Sequence, residues 1–326
     1  MIDWLSNIEG VAGIDPVPAS EDASFRRYFR LRSTPQSFIV MDAPPTQEDS
    51  TPFLRIAACL ESMQLNAPRI IEADIDLGFL LLTDLGVLPY LDVLNQAPES
   101  ADDLYSDAMR ALLQMQQRGT AYQATLPPYD ESLLRLELSL FHDWLCEKYL
   151  GIEFSKDEQA QWQWVCDQLV ANALDQPQVF VHRDYHSRNL MRTDADNPGI
   201  LDFQDAVEGP YTYDLVSLLK DCYIRWPAGK VRDWALAFYR QLDEELRQHS
   251  DAETFIRHFE LMGVQRHLKA AGIFTRLNLR DGKPGYMADI PRTLDYIIEL
   301  APRHPQLEFL IGLIEQRCLP ALEKAR

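Results

Sequence analysis

The sequence predicts an α+β fold of two lobes, with a small β-rich lobe over residues 1–86 and a large, mostly helical lobe over residues 87–326. Clusters of β-forming residues separated by turn residues occupy the first segment, and apolar residues at helical spacing occupy the second. A chain of 326 residues is also long enough to bury more than one core. We find no flexible linker between the segments and therefore expect a tight junction at residues 82–86.

The N-terminal segment contains three predicted strands and one helix. Residues 24–30 and 38–41 are rich in β-forming side chains and flank a turn at 33–35. Thr51 is expected to cap a helix that continues through Pro52, because a hydroxyl N-cap followed by proline is typical of a helix start. The apolar run at 78–86 then predicts a strand that ends in a polar turn.

The second segment is predicted to be mainly helical. One apolar stripe contains Leu104, Ala108, Ala111, Leu112 and Met115, and another contains Leu134, Leu138, Phe141, Leu145 and Tyr149. Further amphipathic stretches cover residues 212–224, 230–247, 254–278, 289–300 and 306–323. Core packing accounts for nearly all of these apolar residues, since no heptad or internal repeat is sustained.

Composition restricts the classes of partner. The chain carries 31 Lys and Arg against 50 Asp and Glu, a formal net charge of −19, which argues against nucleic acid or an anionic membrane as a ligand. Its five cysteines are scattered, odd in number and without a C-x-x-C pair, as expected for reduced thiols in the cytoplasm. The first residues lack a basic and an apolar region, so we expect no signal peptide, and no apolar run of about 18 residues occurs. No protein partner is inferred.

The most informative motif is His182-Arg183-Asp184-Tyr185-His186-Ser187-Arg188-Asn189, with Asp202 thirteen residues after Asn189. Residues 178–181 predict a strand that enters this loop, and 190–191 and 199–201 predict short strands that lead to Asp202. Transfer of a phosphoryl group from ATP requires a carboxylate that accepts the proton of the attacking hydroxyl and oxygen ligands for Mg²⁺. We therefore predict Asp184 as the catalytic base and Asn189 and Asp202 as Mg²⁺ ligands.

Spacing after the motif predicts a small-molecule acceptor. A protein kinase requires D-F-G, a long activation segment and A-P-E to hold a peptide. Here Gln204 replaces the glycine, and only eleven residues separate Asp202 from Asp214, which is expected to cap the next helix and brace the loop. No peptide platform fits in that interval. The helical stripes between residues 87 and 181 are instead expected to wall a pocket for a metabolite.

One departure from the kinase pattern concerns the phosphate-binding lysine. Kinases use a lysine on the third strand to hold the α and β phosphates, whereas the first lysine of this chain is Lys148 and Met41 stands at the expected position. Arg26 or Arg27 is predicted to replace it, because an arginine fork grips phosphate oxygens. Two alternatives stay open: a solvated strand face for both arginines, or phosphates held by backbone N–H groups and Mg²⁺ alone.

Further contacts are predicted on either side of the reacting groups. The adenine is expected to bind backbone groups near Thr83 and Asp84. Four residues follow the base or the second metal ligand closely enough to reach an acceptor, although surface polarity explains each about as well; they are His186, Arg188, Gln204 and Asp205. For the basic residues Arg266, His267 and Lys269, a solvated helix face is preferred over a contact with the acceptor, which stays the alternative.

Several blocks of sequence resemble the aminoglycoside phosphotransferase and choline kinase branch of the protein-kinase-like fold. The likeness is greatest to the bacterial kinases of N-acetylmuramate and N-acetylglucosamine. The residues that carry it are 22–30, 41–45, 182–190, 202–206, 209–210, 214–215, 265–269 and 272–274. The resemblance implies phosphorylation of the anomeric hydroxyl in peptidoglycan recycling, whereas the residues alone lead only to a small-molecule hydroxyl.

Three other interpretations stay open at the level of sequence. His182, Asp184 and His186, if they alternate on a strand, are competent ligands for Zn²⁺ or Fe²⁺ in a hydrolase. The missing lysine also permits a nucleotide-binding regulator without catalysis. Within the kinase interpretation, an aminoglycoside or an amino alcohol is the alternative acceptor.

Overall fold

A computed structural model describes residues 1–21, 25–33, 36–248 and 250–325. These residues form two compact units: the first contains 1–119 and 188–206, and the second contains 120–187 and 207–326. The lobe boundary expected after residue 86 stays a prediction. Residues 22–24, which include the first residue of the predicted strand 24–30, and residues 34–35 of the predicted turn lie outside the described residues.

The first unit contains an antiparallel sheet of five strands in the order β1-β2-β3-β5-β4. Its strands are β1 Val17–Glu21, β2 Arg27–Arg32, β3 Ser37–Asp42, β4 Ile70–Asp74 and β5 Phe79–Thr83. The predicted strands at 24–30, 38–41 and 78–86 correspond to β2, β3 and β5. We did not predict β1 or β4. Most of β4 is exposed and it carries two acidic residues, so it lacks the apolar signal that identified β5.

Four short strands flank the loop motif. In the second unit β6 Gln178–Val181 pairs with β9 Val207–Pro210, and in the first unit β7 Leu190–Met191 pairs with β8 Gly199–Ile200. The three strands predicted around the motif are therefore confirmed, with β8 one residue shorter than expected. Both loops that carry the candidate residues begin where one of these short strands ends, at Val181 and just beyond Ile200.

The helices of the first unit are α1 Ile2–Leu5, α2 Thr51–Ser62, α3 Tyr90–Gln96 and α4 Ala101–Gly119. The helix at α2 is confirmed, but Ser50 is its N-cap and Thr51 its first residue, so the prediction that Thr51 caps it is wrong. The apolar face of the sheet packs on α1 and the chain after it, where Leu5, Val11, Leu31, Val40 and Leu81 form a buried cluster.

The second unit is mainly helical. Its α-helices are α5 Glu131–Leu140, α6 Lys156–Leu174, α7 Tyr213–Leu219, α8 Ala228–Gln241, α9 Glu244–Gln248, α10 Ala252–Asp281, α11 Ile290–Ile298, α12 Glu308–Leu313 and α13 Leu319–Ala325. Each predicted amphipathic stretch contains helix, although 212–224 ends early and 230–247 is two helices. None of the described helices is long and apolar enough to cross a membrane.

The 30-residue helix α10 lies against several neighbours in the second unit. Its Gly272 lies so close to the end of α5 that a Cβ atom there would be 2.3 Å from the carbonyl carbon of Leu140. A larger residue would therefore separate the two helices. Gln265 of α10 adds a hydrogen bond of 3.0 Å to the Leu134 carbonyl. Gly272 belongs to one of the blocks that resemble known kinases. Its lack of a side chain is explained by this close packing.

Candidate active site

The motif His182 to Asn189 leaves β6 as an irregular loop. Because the strand ends at Val181, His182, Asp184 and His186 do not alternate on a strand, and the geometric basis for a hydrolase metal site is lost. Arg183 has a φ of 78°, a left-handed conformation that is uncommon for a long side chain. Such strained backbone is typical of functional loops.

Two buried carboxylates anchor this loop. Asp214 accepts the backbone N–H groups of His182 at 2.6 Å and Arg183 at 2.9 Å. Asp221 accepts the backbone N–H of Ser187 at 3.0 Å and its hydroxyl at 2.5 Å. Burial raises the pKa of Asp214 to about 7, although the two N–H groups oppose that rise.

The expected bracing role of Asp214 is therefore confirmed, but its expected capping role is wrong. Thr212 is the N-cap of α7, and Asp214 is the second residue of that helix. Its carboxylate is turned to the loop rather than to the N–H groups of its own helix. The distinction matters because the loop conformation is fixed by a residue that follows it by about thirty positions.

Asp184 is partly buried within the second unit, and its backbone N–H donates to His182 Nδ1 at 3.2 Å. Burial alone would raise the pKa of its carboxyl group. The charges of Lys269, Arg266 and Arg183, with a contribution from His186, outweigh burial and hold the pKa of Asp184 below its usual value. Asp184 is therefore an ionised carboxylate at neutral pH, the protonation state that a general base requires.

A buried charge network lies beside Asp184. Glu137 of α5 is 3% exposed and receives Arg183 Nη2, the Tyr129 hydroxyl and Lys269 Nζ, the last at 3.0 Å. Lys269 Nζ also donates to the Tyr213 hydroxyl at 3.0 Å. Burial works to raise the pKa of Glu137, but the charges of Lys269 and Arg183 hold it below its usual value. We missed Glu137 in the sequence because it lies on the buried side of an ordinary amphipathic helix.

The interpretation of Arg266, His267 and Lys269 as a solvated helix face is wrong. Their exposed fractions are 6%, 1% and 8%. His267 Nε2 lies 2.8 Å from the Lys220 carbonyl oxygen, and its ring stacks on Tyr296 with centroids 4.8 Å apart. These residues lie on a helix that is buried on nearly all sides. Their charge therefore did not indicate exposure to solvent.

In the first unit, Asp202 is the centre of a polar cluster. Its carboxylate accepts Asn189 Nδ2 at 3.3 Å and Gln204 Nε2 at 2.9 Å, and Arg26 Nη2 lies 3.6 Å away. The Asp202 backbone has a φ of 60°, a left-handed conformation that aspartate tolerates better than most residues. A carboxylate beside an amide oxygen is a donor set that suits a hard divalent cation such as Mg²⁺.

Arg26 and Arg27 differ in their surroundings. The side chain of Arg26 is 10% exposed and lies beside Asp202, whereas that of Arg27 is 65% exposed and pairs with Asp42. Met41, where kinases place a lysine, is fully buried on β3 opposite Leu80. Of the two arginines, only Arg26 therefore lies beside a predicted site residue.

Thr83 and Asp84 are both engaged within the first unit. The Thr83 N–H donates to the Arg69 carbonyl at 3.0 Å, and its hydroxyl accepts the Arg69 N–H at 2.9 Å. The Asp84 carboxylate receives Arg30 through two nitrogens at 2.6 and 3.0 Å, and Ser37 Oγ at 2.7 Å. The Asp84 side chain therefore shapes the turn after β5, and adenine binding by nearby backbone stays a prediction.

The four predicted acceptor residues are divided between the units. Gln204 belongs to the Asp202 cluster, and Arg188 and Asp205 are exposed in the same unit. His186 belongs to the second unit, where it is 8% exposed and its ring lies 5.3 Å from that of Tyr223. Their roles toward an acceptor stay predictions.

Comparison with known proteins matches residues 15–249 to the phosphotransferase enzyme family. An N-acetylmuramate/N-acetylglucosamine kinase of Pseudomonas aeruginosa is 47% identical over 94% of this chain and 90% of its own length. A protein of the same name from Neisseria meningitidis is 40% identical over 96% of this chain and 93% of its own. The predicted resemblance is thus confirmed.

Solved structures confirm the protein-kinase-like fold. An ethanolamine kinase of Plasmodium vivax covers 90% of this chain with 86% of its own, with a TM-score of 0.64 and 11% identity. The ADP-bound aminoglycoside phosphotransferase APH(2'')-Ib covers 90% of this chain with 96% of its own, with a TM-score of 0.57 and 15% identity. At such identities the likeness concerns the fold alone.

Proposed function

Because the chain belongs to the phosphotransferase enzyme family, we propose that it transfers the γ-phosphoryl group of ATP to the anomeric hydroxyl of N-acetylmuramic acid and of N-acetylglucosamine. The products are the sugar 1-phosphates, in peptidoglycan recycling. Support for these acceptors comes from relatives of up to 47% identity that carry the corresponding name and align over nearly the whole chain.

The observation that carries the proposal is the ionised Asp184 on a loop fixed by Asp214 and Asp221. In this role Asp184 accepts a hydrogen bond from the anomeric hydroxyl, orients its oxygen for in-line attack and takes its proton. The hydroxyl oxygen forms a bond to the γ-phosphorus as the bond to the β-phosphate oxygen breaks. Anchoring by two carboxylates keeps Asp184 in one position, which is what such orientation requires.

We assign Asn189 and Asp202 to the binding of Mg²⁺, which supplies neutralisation of phosphate charge when bound. The hydrogen bonds from Asn189 and Gln204 orient the Asp202 carboxylate. Arg26 takes the place of the missing lysine and contacts phosphate oxygens, a role supported by its position beside Asp202. Arg27 is exposed and pairs with Asp42, so we assign it no contact with phosphate.

The remaining assignments concern the adenine, the acceptor and the cellular location. Backbone groups near Thr83 and Asp84 bind adenine, and four polar residues near the base and the metal ligands contact the acceptor: His186, Arg188, Gln204 and Asp205. A cytoplasmic location agrees with the nucleotide substrate and with the five cysteines, all of them free thiols.

An acceptor screen tests the proposal. Purified protein with ATP and Mg²⁺ is offered N-acetylmuramic acid, N-acetylglucosamine, aminoglycosides and amino alcohols, and ADP release is measured together with the phosphorus NMR spectrum of the product. We expect turnover of the two amino sugars and a phosphorus signal coupled to the anomeric proton. Turnover of aminoglycosides or amino alcohols in their place would overturn the acceptor assignment, and nucleotide binding without any turnover would favour a regulator.

A further inference from the structure

Arg266 is a buried cation with an unusual set of partners. It lies on α10, is 6% exposed, and its only hydrogen bond to a described residue runs from Nη1 to Cys222 Sγ at 3.6 Å. No carboxylate of the described part of the chain forms an ion pair with it. Lys269 and Arg183, by contrast, share the carboxylate of Glu137.

A guanidinium in this position is costly to the fold, because the negative charges of Asp184 and Asp221 act on it without a direct ion pair. Removing a charge from water without a paired carboxylate is unfavourable, so buried arginines are normally ion-paired. Neither Nε nor Nη2 of Arg266 has a hydrogen-bond partner among the described residues. Two donors of a rigid fork are thus left for a group that is not part of the protein.

The surroundings of Arg266 suit a sugar. Tyr223 directly follows Cys222, the hydrogen-bond partner of Arg266, in the chain. Its ring lies 6.1 Å from that of Phe274 and 5.3 Å from that of His186. Aromatic rings of this kind pack against the apolar faces of pyranose rings. The charge of Arg266 contributes to lowering the pKa of Asp184, so the guanidinium and the reacting carboxylate interact electrostatically.

The two proposed acceptors differ in charge. N-acetylmuramic acid carries a lactyl ether with a carboxylate, and N-acetylglucosamine has a neutral hydroxyl in its place. We propose that Arg266 binds the lactyl carboxylate of N-acetylmuramic acid through a charge-assisted fork and so determines the preference for this acceptor. The inference rests on the proposed function and adds a residue that distinguishes its two substrates.

A phosphate oxygen of the nucleotide has the same chemistry as a carboxylate, and the experiment separates the two. Steady-state kcat/KM is measured for N-acetylmuramic acid, its methyl ester and N-acetylglucosamine, with the native enzyme and with Arg266→Met, Arg266→Lys and Lys220→Met. The ester has the shape of the first acceptor without its charge. Lys220 is a matched control, since it is also a buried cation of the second unit but lines a separate cavity of about 300 Å³ without predicted site residues.

We expect Arg266→Met to lower kcat/KM for N-acetylmuramic acid by about 10- to 100-fold, the range of a lost charged hydrogen bond. The values for the ester and for N-acetylglucosamine should fall much less and by the same factor as each other, because that loss reflects only the charge of Arg266 near Asp184. Arg266→Lys should fall between, because it keeps the charge but loses the fork. The ratio between acceptors should be unchanged in Lys220→Met.

An equal loss for all three acceptors in Arg266→Met would overturn the inference and indicate a contact with phosphate or a purely structural role. If the variants fail to fold, the native enzyme still decides: equal kcat/KM for the acid and its ester would overturn the inference, and a preference of about tenfold or more for the acid would support it. Absence of turnover with any amino sugar in the native enzyme would instead overturn the proposed function itself.

Discussion

Asp184 in the second unit and Asp202 in the first unit are both carboxylates on loops that follow short strands, yet their surroundings differ in kind. Full positive charges surround Asp184, from Lys269, Arg266 and Arg183 among others. Asp202 receives two side-chain amides and one more distant arginine, and its side chain is 36% exposed.

The difference in surroundings suits the two carboxylates to different chemical tasks in the proposed mechanism. Protein cations already compensate the charge of Asp184, so it stays ionised in a site too buried to favour a charge by itself. Two amides and Arg26 position the Asp202 carboxylate, which is partly exposed and is of the oxygen-donor type that ligates a hard cation. In the proposed mechanism Asp184 takes up a proton and Asp202 ligates a metal ion.

Asp184→Asn tests the first half of this comparison and should have the largest effect. Asparagine keeps the shape but cannot accept the proton, so we expect kcat to fall by roughly 10²- to 10⁴-fold with little change in nucleotide binding. Single-turnover kinetics and nucleotide titration measure the two quantities. Near-native turnover with an unchanged melting temperature would remove Asp184 from the mechanism.

Asp202→Ala tests the second half. Loss of a charged ligand should lower turnover by about 100-fold at ordinary Mg²⁺ concentration and increase the Mg²⁺ concentration required for half-maximal rate. The measurement is a Mg²⁺ titration at saturating sugar and ATP. Asp205→Ala, which alters an exposed carboxylate of the same unit, is the control and should leave the Mg²⁺ titration unchanged. An unaltered titration in Asp202→Ala would show that Asp202 is not a ligand.

Lys269→Met removes one of the positive charges that compensate Asp184, so the surroundings of Asp184 become more like those of Asp202. The fold holds the pKa of Asp184 below its usual value, so loss of a positive charge raises that pKa and the base takes up its proton at higher pH. We expect the acid limb of the kcat/KM profile to move to higher pH, with a loss of kcat/KM at the low-pH end. Lys220→Met is the control and should retain the native profile. Superimposable profiles for the two variants would contradict the role given to Lys269.

Arg26→Ala should have the smallest effect of these variants, and it tests the surroundings of Asp202. We expect an increase of roughly fivefold in KM for ATP, about 1 kcal/mol, with a smaller change in adenosine binding because adenosine lacks phosphates. Arg27→Ala is the matched control, being exposed and paired with Asp42, and should be close to native. Met41→Ala should change both ligands equally, through packing alone. Equal, small losses for both ligands in Arg26→Ala would mean that backbone and Mg²⁺ hold the triphosphate.

The contiguous loop motif was predictable because its chemistry is local. A base and a metal ligand spaced along His182 to Asn189, followed by a strand that ends near Asp202, can be identified without knowledge of any distant residue. The same holds for the absent lysine, since Met41 is an apolar residue in an apolar strand. The strands around the motif were predicted for the same reason, whereas the polar strand β4 carries no such signal.

The sequence by itself therefore determined the reaction class, the candidate base and metal ligands, and the α+β fold, because each rests on side chains that are neighbours along the chain. Only the tertiary structure decided which charges compensate Asp184. Glu137, Arg183 and Lys269 come from three separate elements and meet in a buried network. Periodicity shows that a helix has an apolar side, but a charged residue on that side can be identified only from the partner that its burial requires.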